Sequence, residues 1–163
     1  MEWPEFSPSA ALRALVGAGV DFVVIGGIAA VAHGGAQVTQ DLDVVPAPDQ
    51  LNLDVLGRTL IDLGARMRGV ADDVPFVPDG RTLPQIEVLC LDTAAGPLDI
   101  LMAPKAAPRY AELRAGALRV LIGDSPVLIA SIEDLIAMKL AAGRPKDLVA
   151  VEELEAIRRL TGG

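Results

Sequence analysis

The chain divides into short blocks in which the spacing of apolar residues changes. Apolar runs bounded by turn residues predict strands at 20–27, 38–45, 83–92 and 96–104. The run 117–131, around Gly123-Asp124, predicts a β-hairpin. Helical spacing with capping and terminating residues predicts helices at 8–17, 28–35, 48–64, 107–116, 132–143 and 145–160. Because helices alternate with strands but hairpins also occur, we expect an α+β (α/β) fold with a mixed sheet.

Composition narrows the class of protein. With 163 residues, 52% of them apolar, the chain is long enough for a sizeable core, and we expect a single domain over 1–163. A net charge of −8 and only five aromatic residues argue against attraction to nucleic acid by overall charge and against a base-stacking surface. One cysteine, Cys90, excludes a disulfide within the chain, and we expect it to be a small buried side chain. The longest apolar run, 22–32, is too short to span a bilayer, so we expect a cytoplasmic protein.

An acidic pair lies inside the predicted strand 38–45. Asp41 and Asp43 are two residues apart and therefore point to the same side of a strand, while Leu42 points into the core. Two neighbouring carboxylates repel each other unless a cation compensates them, and Mg²⁺ or Mn²⁺ prefers such oxygen ligands. Asp99, an acid in an otherwise apolar strand, is the natural third ligand, and three carboxylates can hold two ions. The alternative is an Asp-x-Asp pair that is merely solvated on an edge strand.

A glycine pair precedes this acidic strand. Gly26 and Gly27 lie between a predicted strand and a helix, where backbone N–H groups can approach a phosphate. The alternative is a plain tight turn, which glycine also permits. A dinucleotide fingerprint is excluded because position 28 is Ile, and no Gly-Lys-Ser/Thr sequence is present. Glycines and acids together predict a nucleoside triphosphate bound beside metal ions.

The order of these motifs resembles the nucleotidyltransferase superfamily, which shares its fold with DNA polymerase β. The matching segments are "VIGGIAAVAHGGAQVTQDLDVV", with thirteen residues between Gly27 and Asp41, and "PLDIL". A later segment, "SIEDLIAMKLAAGRPKDL", makes the chain most similar to the small bacterial abortive-infection or type IV toxin nucleotidyltransferases. The resemblance runs from about residue 20 to residue 154.

The resemblance implies an enzyme that moves a nucleoside monophosphate from an NTP to an acceptor hydroxyl of RNA, a protein or a small molecule. It implies a toxin with a cognate antitoxin as partner. It also implies metal roles for Asp41, Asp43 and Asp99, with Asp99 as a candidate proton acceptor, and a phosphate cradle at Gly26 and Gly27. The other catalytic or nucleotide-binding positions that it implies are Lys139, Arg144, Lys146 and Asp147.

The chain departs from that family at Gln37, where relatives usually carry arginine. Glutamine keeps hydrogen-bonding capacity but supplies no charge, which favours weak activity or an unusual substrate. The alternative function is a non-catalytic nucleotide-binding or protein-interaction module on the same fold.

Several residues of the motifs also have ordinary structural interpretations. The alternative for Lys139 is a solvated cation near a helix end, favoured by the helix dipole, and the alternative for Asp147 is a first-turn acid after Pro145. His33, the only histidine, is expected to be a helix-end residue that is hydrogen-bonded locally. The cations of segment 105–119 form either a solvated helix face or a dock for an acidic acceptor such as RNA; they are Lys105, Arg109, Arg114 and Arg119.

Overall fold

The structure is a computed structural model that describes residues 8–36, 39, 41–71 and 75–162. Seven strands are present in these ranges: β1 Phe22–Ile25, β2 Leu42–Pro46, β3 Arg66–Met67, β4 Val88–Thr93, β5 Gly96–Leu101, β6 Leu118–Ile122 and β7 Ser125–Ile129. The same ranges contain six α-helices: α1 Pro8–Gly17, α2 Gly26–Ala32, α3 Gln50–Asp62, α4 Tyr110–Gly116, α5 Ile132–Ala142 and α6 Pro145–Leu160.

The strands form one mixed sheet in the order β3-β4-β5-β2-β1-β7-β6. The hairpins β4-β5 and β6-β7 are antiparallel, and so is the central pair β1-β2. The pairs β2-β5 and β1-β7 are parallel, because helices and loops separate these strands along the chain. The α+β fold with a mixed sheet is therefore confirmed.

The core is built on the alternation of buried and outward-facing side chains along the neighbouring strands β2 and β5. Leu42 pairs with Leu98 and Val44 with Ile100, and all four side chains are at most 1% exposed. They join one apolar cluster with Leu12 and other residues of α1, which packs against β5, β7 and α3. A one-residue shift of β2 would bring its acids into this core, so burial of the leucines fixes the register.

Two parts of the chain differ from the predicted elements. Residues Leu83–Gln85 form a 3₁₀ turn rather than the start of a strand, because Pro84 lacks a backbone N–H for a sheet ladder. The short edge strand β3 was not predicted, since Arg66–Met67 has no alternation long enough to detect. The predicted strand 38–45 and helix 28–35 are shifted: β2 begins at Leu42, and α2 already begins at Gly26.

The two last helices have the end signals that the sequence predicts. The Ser131 hydroxyl accepts a hydrogen bond from the Asp134 N–H at 3.1 Å and caps α5. Gly143, with φ of +66°, ends that helix, and Pro145 begins α6. These caps fix the turn between α5 and α6, which carries Arg144. Among the residues described, no helix combines the length and apolar composition needed to cross a membrane.

Candidate functional site

The acidic row consists of Asp43 and Asp99 on two neighbouring strands and of Asp41, which immediately precedes β2. Asp43 on β2 is in register with Asp99 on β5, and Asp99 is in register with Cys90 on β4. Residues in register across a sheet point to the same face, so the two carboxylates lie together on the face opposite Leu42 and Leu98. The predicted proximity of Asp43 and Asp99 is thus present, although 56 positions separate them in the sequence.

The positive charge near Asp43 is too weak to offset its burial and the neighbouring acids. Burial, followed by the charges of Asp99 and Asp41, raises the pKa of Asp43 to about 7, and the Lys139 ammonium opposes the shift. The Asp43 Oδ1 atom is buried and has no hydrogen-bond partner among the described residues. A buried carboxylate oxygen without a partner is costly, so this atom is a place where a cation would be stabilising.

Arg68 is the residue of this site that the sequence analysis missed. Its Nη2 atom lies 3.1 Å from Asp99 Oδ1 and donates to the Leu91 carbonyl oxygen at 2.9 Å, while its Nε donates to Asp92 Oδ1 at 3.2 Å. Burial raises the pKa of Asp99, the Arg68 charge opposes this, and Asp41 adds to it, so the net shift is upward. No sequence motif identifies Arg68, because it follows a strand of only two residues that shows no detectable alternation.

The glycine pair packs directly against the acidic strand. Gly26 has φ of +71°, and a Cβ atom at this position would collide with the Asp43 carboxylate. A Cβ atom on Gly27 would lie 2.6 Å from the Thr39 hydroxyl, which itself donates to the Asp41 carbonyl oxygen at 3.2 Å. Gly26 is therefore required by the close approach of β2 and Gly27 by that of Thr39, a role that adds to their predicted role in approaching phosphate.

Segment 131–148, which contains α5 and the start of α6, brings positive charge towards Asp43. Lys139 on α5 acts electrostatically on both Asp43 and Asp147, and Arg144 also lies within electrostatic range of Asp43. Arg144 forms an ion pair with Asp147, with 2.6 Å between Nε and Oδ2 and 3.2 Å between Nη2 and Oδ1. Asp147 is 2% exposed, whereas the Arg144 side chain is 60% exposed. Asp147 thus holds a guanidinium that remains accessible.

The Arg144 ion pair dominates the ionisation of Asp147. Burial alone would raise the pKa of Asp147, but hydrogen bonds from the Arg144 side chain and backbone lower it below its ordinary value. The carboxylate therefore stays ionised and keeps the guanidinium in place. Asp147 is a positioning residue in this arrangement, because its two oxygens are already used by Arg144.

Comparison with known proteins identifies the fold. No protein-family model and no curated protein matches the chain. The lincosamide antibiotic adenylyltransferase LnuA matches at a TM-score of 0.63 and 16% identity, over 94% of this chain and 99% of that one. The antibiotic-resistance factor ANT(2'')-Ia matches at a TM-score of 0.58 and 18% identity, over 93% and 86%. A putative nucleotidyltransferase from Thermotoga maritima matches at 0.54 and 16%, over 94% and 89%. The chain has the nucleotidyltransferase fold.

The nucleotidyltransferase fold gathers most of the predicted site residues on one side of the molecule. The group that the contacts and electrostatic interactions connect consists of Gly26, Gly27, Asp41, Asp43, Asp99, Lys139, Arg144 and Asp147. Lys146 is exposed on α6, and within the described part of the chain no interaction joins it to the acidic row. Gln37 lies outside the described residues.

Two further predictions need correction. His33 lies at the end of α2 as expected, but its partner is not local: its Nε2 is 2.8 Å from the carbonyl oxygen of Ala130, which immediately follows β7. Cys90 is half-buried rather than buried, because it shares the polar face of the sheet with Asp99. Burial and the nearby Asp99 carboxylate raise the pKa of the Cys90 thiol.

The predicted three-aspartate metal centre stays a prediction. Over the described ranges, no group of three or more His, Cys, Asp or Glu side chains is arranged to hold a metal ion. The donor chemistry still fits a hard cation, because Asp43 has a buried oxygen without a partner and Asp41 adds negative charge to it. Asp99 differs from the other two acids, since a guanidinium already contacts it.

Proposed function

We propose that this protein is a metal-dependent nucleotidyltransferase that moves a nucleoside monophosphate from an NTP to an acceptor hydroxyl and releases pyrophosphate. The observation that carries the proposal is the unpaired, buried Asp43 Oδ1 atom in an acidic row beside Gly26. Lys139 and Arg144 lie within electrostatic reach of Asp43. Carboxylates for a divalent ion and cations for phosphates are what in-line phosphoryl transfer requires.

Asp41 and Asp43 would hold the divalent ion, Mg²⁺ or Mn²⁺. When bound, such an ion neutralises phosphate charge and polarises the reacting phosphoryl group. Asp43 is suited to this role because a cation would remove the cost of its buried, unpaired oxygen. The raised pKa of Asp43 implies that ion binding releases a proton near neutral pH, since a metal ligand must be deprotonated.

The remaining residues orient the substrates. Lys139 and the accessible guanidinium of Arg144 would bind the triphosphate, with Asp147 holding Arg144 in place. The close packing of Gly26 against Asp43 brings its backbone next to the acids, so a phosphate bound there would lie beside the ion. Asp99, whose pKa is raised, is the proposed acceptor for the proton of the attacking hydroxyl.

The proposed acceptor is a hydroxyl of a small molecule, an RNA or a protein. Two of the similar structures contain small molecules: LnuA is bound to lincomycin, and ANT(2'')-Ia is in complex with adenylyl-2"-tobramycin. The exposed arginines Arg114 and Arg119 would instead suit an RNA acceptor. An RNA or protein acceptor would fit a toxin role with an antitoxin partner, so the acceptor assay also tests that role.

Transfer of label from each α-³²P-labelled NTP tests the proposal. The protein is incubated with Mg²⁺ and with total RNA, protein extract or a panel of hydroxylated small molecules. We expect label on one acceptor class, lost in EDTA and in Asp43→Asn, and retained in the matched control Asp62→Asn, an exposed aspartate at the end of α3. NTP binding without transfer, unaffected by Asp43→Asn, would instead identify a non-catalytic nucleotide-binding module. If the protein neither binds NTP nor transfers label, both functions are refuted.

A further inference from the structure

The environment of Asp99 differs from that of the other two acids. Its Oδ1 atom is 3.1 Å from Arg68 Nη2, and the two side chains are 17% and 35% exposed. Asp43 Oδ1, one strand away, has no partner at all in the described part of the chain. The acidic row therefore has one end open to a cation and one end that already holds a protein cation.

The Arg68 guanidinium does not depend on Asp99 for its position. It donates to the Leu91 carbonyl oxygen at 2.9 Å and to Asp92 Oδ1 at 3.2 Å, both on β4. The Arg68 backbone N–H also donates to the Cys90 carbonyl oxygen at 2.9 Å. Because main chain and side chain are both anchored to β4, the positive charge stays beside Asp99 even if that carboxylate turns away.

A guanidinium in this position competes directly with a divalent ion. Both seek the same carboxylate, and their like charges repel each other over the few ångströms of such a site. An arginine cannot be deprotonated in a protein, so the competition does not disappear at alkaline pH. At the other end of the row the Asp43 Oδ1 atom has no hydrogen-bond partner among the described residues, so the first ion meets the charges of Lys139 and Arg68 only at a distance.

We propose that Arg68 is the resident counter-ion of Asp99, so that the acidic row accepts one divalent ion, on Asp41 and Asp43, and the guanidinium takes the place of a second ion. This inference rests on the proposed function, which requires the first ion. Arg68 is a positioning residue here, since it holds Asp99 beside the reacting groups without contacting the acceptor itself.

Counting bound Mn²⁺ by electron paramagnetic resonance tests the inference without an activity assay. We expect one Mn²⁺ per wild-type chain, two per Arg68→Gln chain, and one again in Arg68→Gln/Asp99→Asn. The matched control Arg58→Gln, which changes an exposed arginine on α3, should bind one. Two ions in the wild type, or one ion in Arg68→Gln, would overturn the inference while leaving the proposed function intact.

Two further measurements separate the other outcomes. If wild-type protein binds no Mn²⁺, as is expected of Asp43→Asn, the metal-dependent function is overturned and the inference with it. If circular dichroism shows that Arg68→Gln does not fold, Arg68→Met replaces it, because methionine keeps a long unbranched side chain without the charge. We then expect two Mn²⁺ per Arg68→Met chain; one Mn²⁺ per chain would overturn the inference.

Discussion

Asp43→Asn is expected to stabilise the metal-free protein, and the gain is expected to grow with pH. Asparagine keeps the shape of the aspartate but carries no charge. In the folded chain the Asp43 carboxylate is buried, faces the charges of Asp99 and Asp41, and has only Lys139 and, more weakly, Arg144 in opposition. Ionisation of Asp43 is therefore less favourable in the folded chain than in the unfolded chain.

The magnitude follows from the pKa difference between the two states. Between its ordinary value of 3.8 and about 7, folded Asp43 retains a proton that the unfolded chain has released. The free energy of unfolding therefore falls as pH rises through this window, by roughly 1.4 kcal/mol per pH unit for this group. The full penalty above pH 7 is about 4 kcal/mol, reduced to on the order of 2–4 kcal/mol by coupling to the neighbouring acids. Below pH 4 the penalty vanishes.

Urea unfolding in EDTA at pH 5 and pH 8, followed by circular dichroism, measures this effect. We expect the stability advantage of Asp43→Asn over wild type to be larger at pH 8 than at pH 5. The control Asp62→Asn should show no such pH dependence. A Mg²⁺ titration at pH 8 should stabilise the wild type but not Asp43→Asn. An advantage that is equal at both pH values would refute the electrostatic reasoning.

Three other substitutions test separate parts of the account. Gly26→Ala should lose about 2–4 kcal/mol in urea unfolding, because it adds contact with Asp43 to backbone strain, whereas the control Gly64→Ala, with φ of +65° and open space, should lose only about 1 kcal/mol; equal losses would contradict this. Ser131→Ala should lower stability by about 1 kcal/mol through loss of the α5 cap, and an unchanged melting temperature would argue against the cap. Lys139→Ala should weaken NTP binding in calorimetry by about 10- to 100-fold with little change in folding, and unchanged affinity would remove Lys139 from the site.

The local parts of the site are predictable from sequence. Alternation alone places Asp43 on the face opposite Leu42, because the apolar residues must enter the core. The cap at Ser131 and the glycine at 143 likewise fix the ends of α5 from short-range patterns. These features depend on neighbours within a few residues, which is why the sequence reveals them.

The remaining features depend on contacts between distant parts of the chain. The register of Asp43 with Asp99 follows from a parallel pairing that no local pattern determines. Arg68 reaches Asp99 only because a two-residue strand adds to the sheet edge beside β4. His33 is similar, since its partner Ala130 is 97 positions away. Each of these needs the folded topology before the contact can be foreseen.

Anomalous diffraction from a crystal soaked with Mn²⁺ and a non-hydrolysable NTP tests the central claim most directly. The account predicts a manganese peak bound by the carboxylates of Asp41 and Asp43, with the triphosphate beside Gly26 and contacted by Lys139. A triphosphate bound elsewhere, or no manganese at the acidic row, would contradict it.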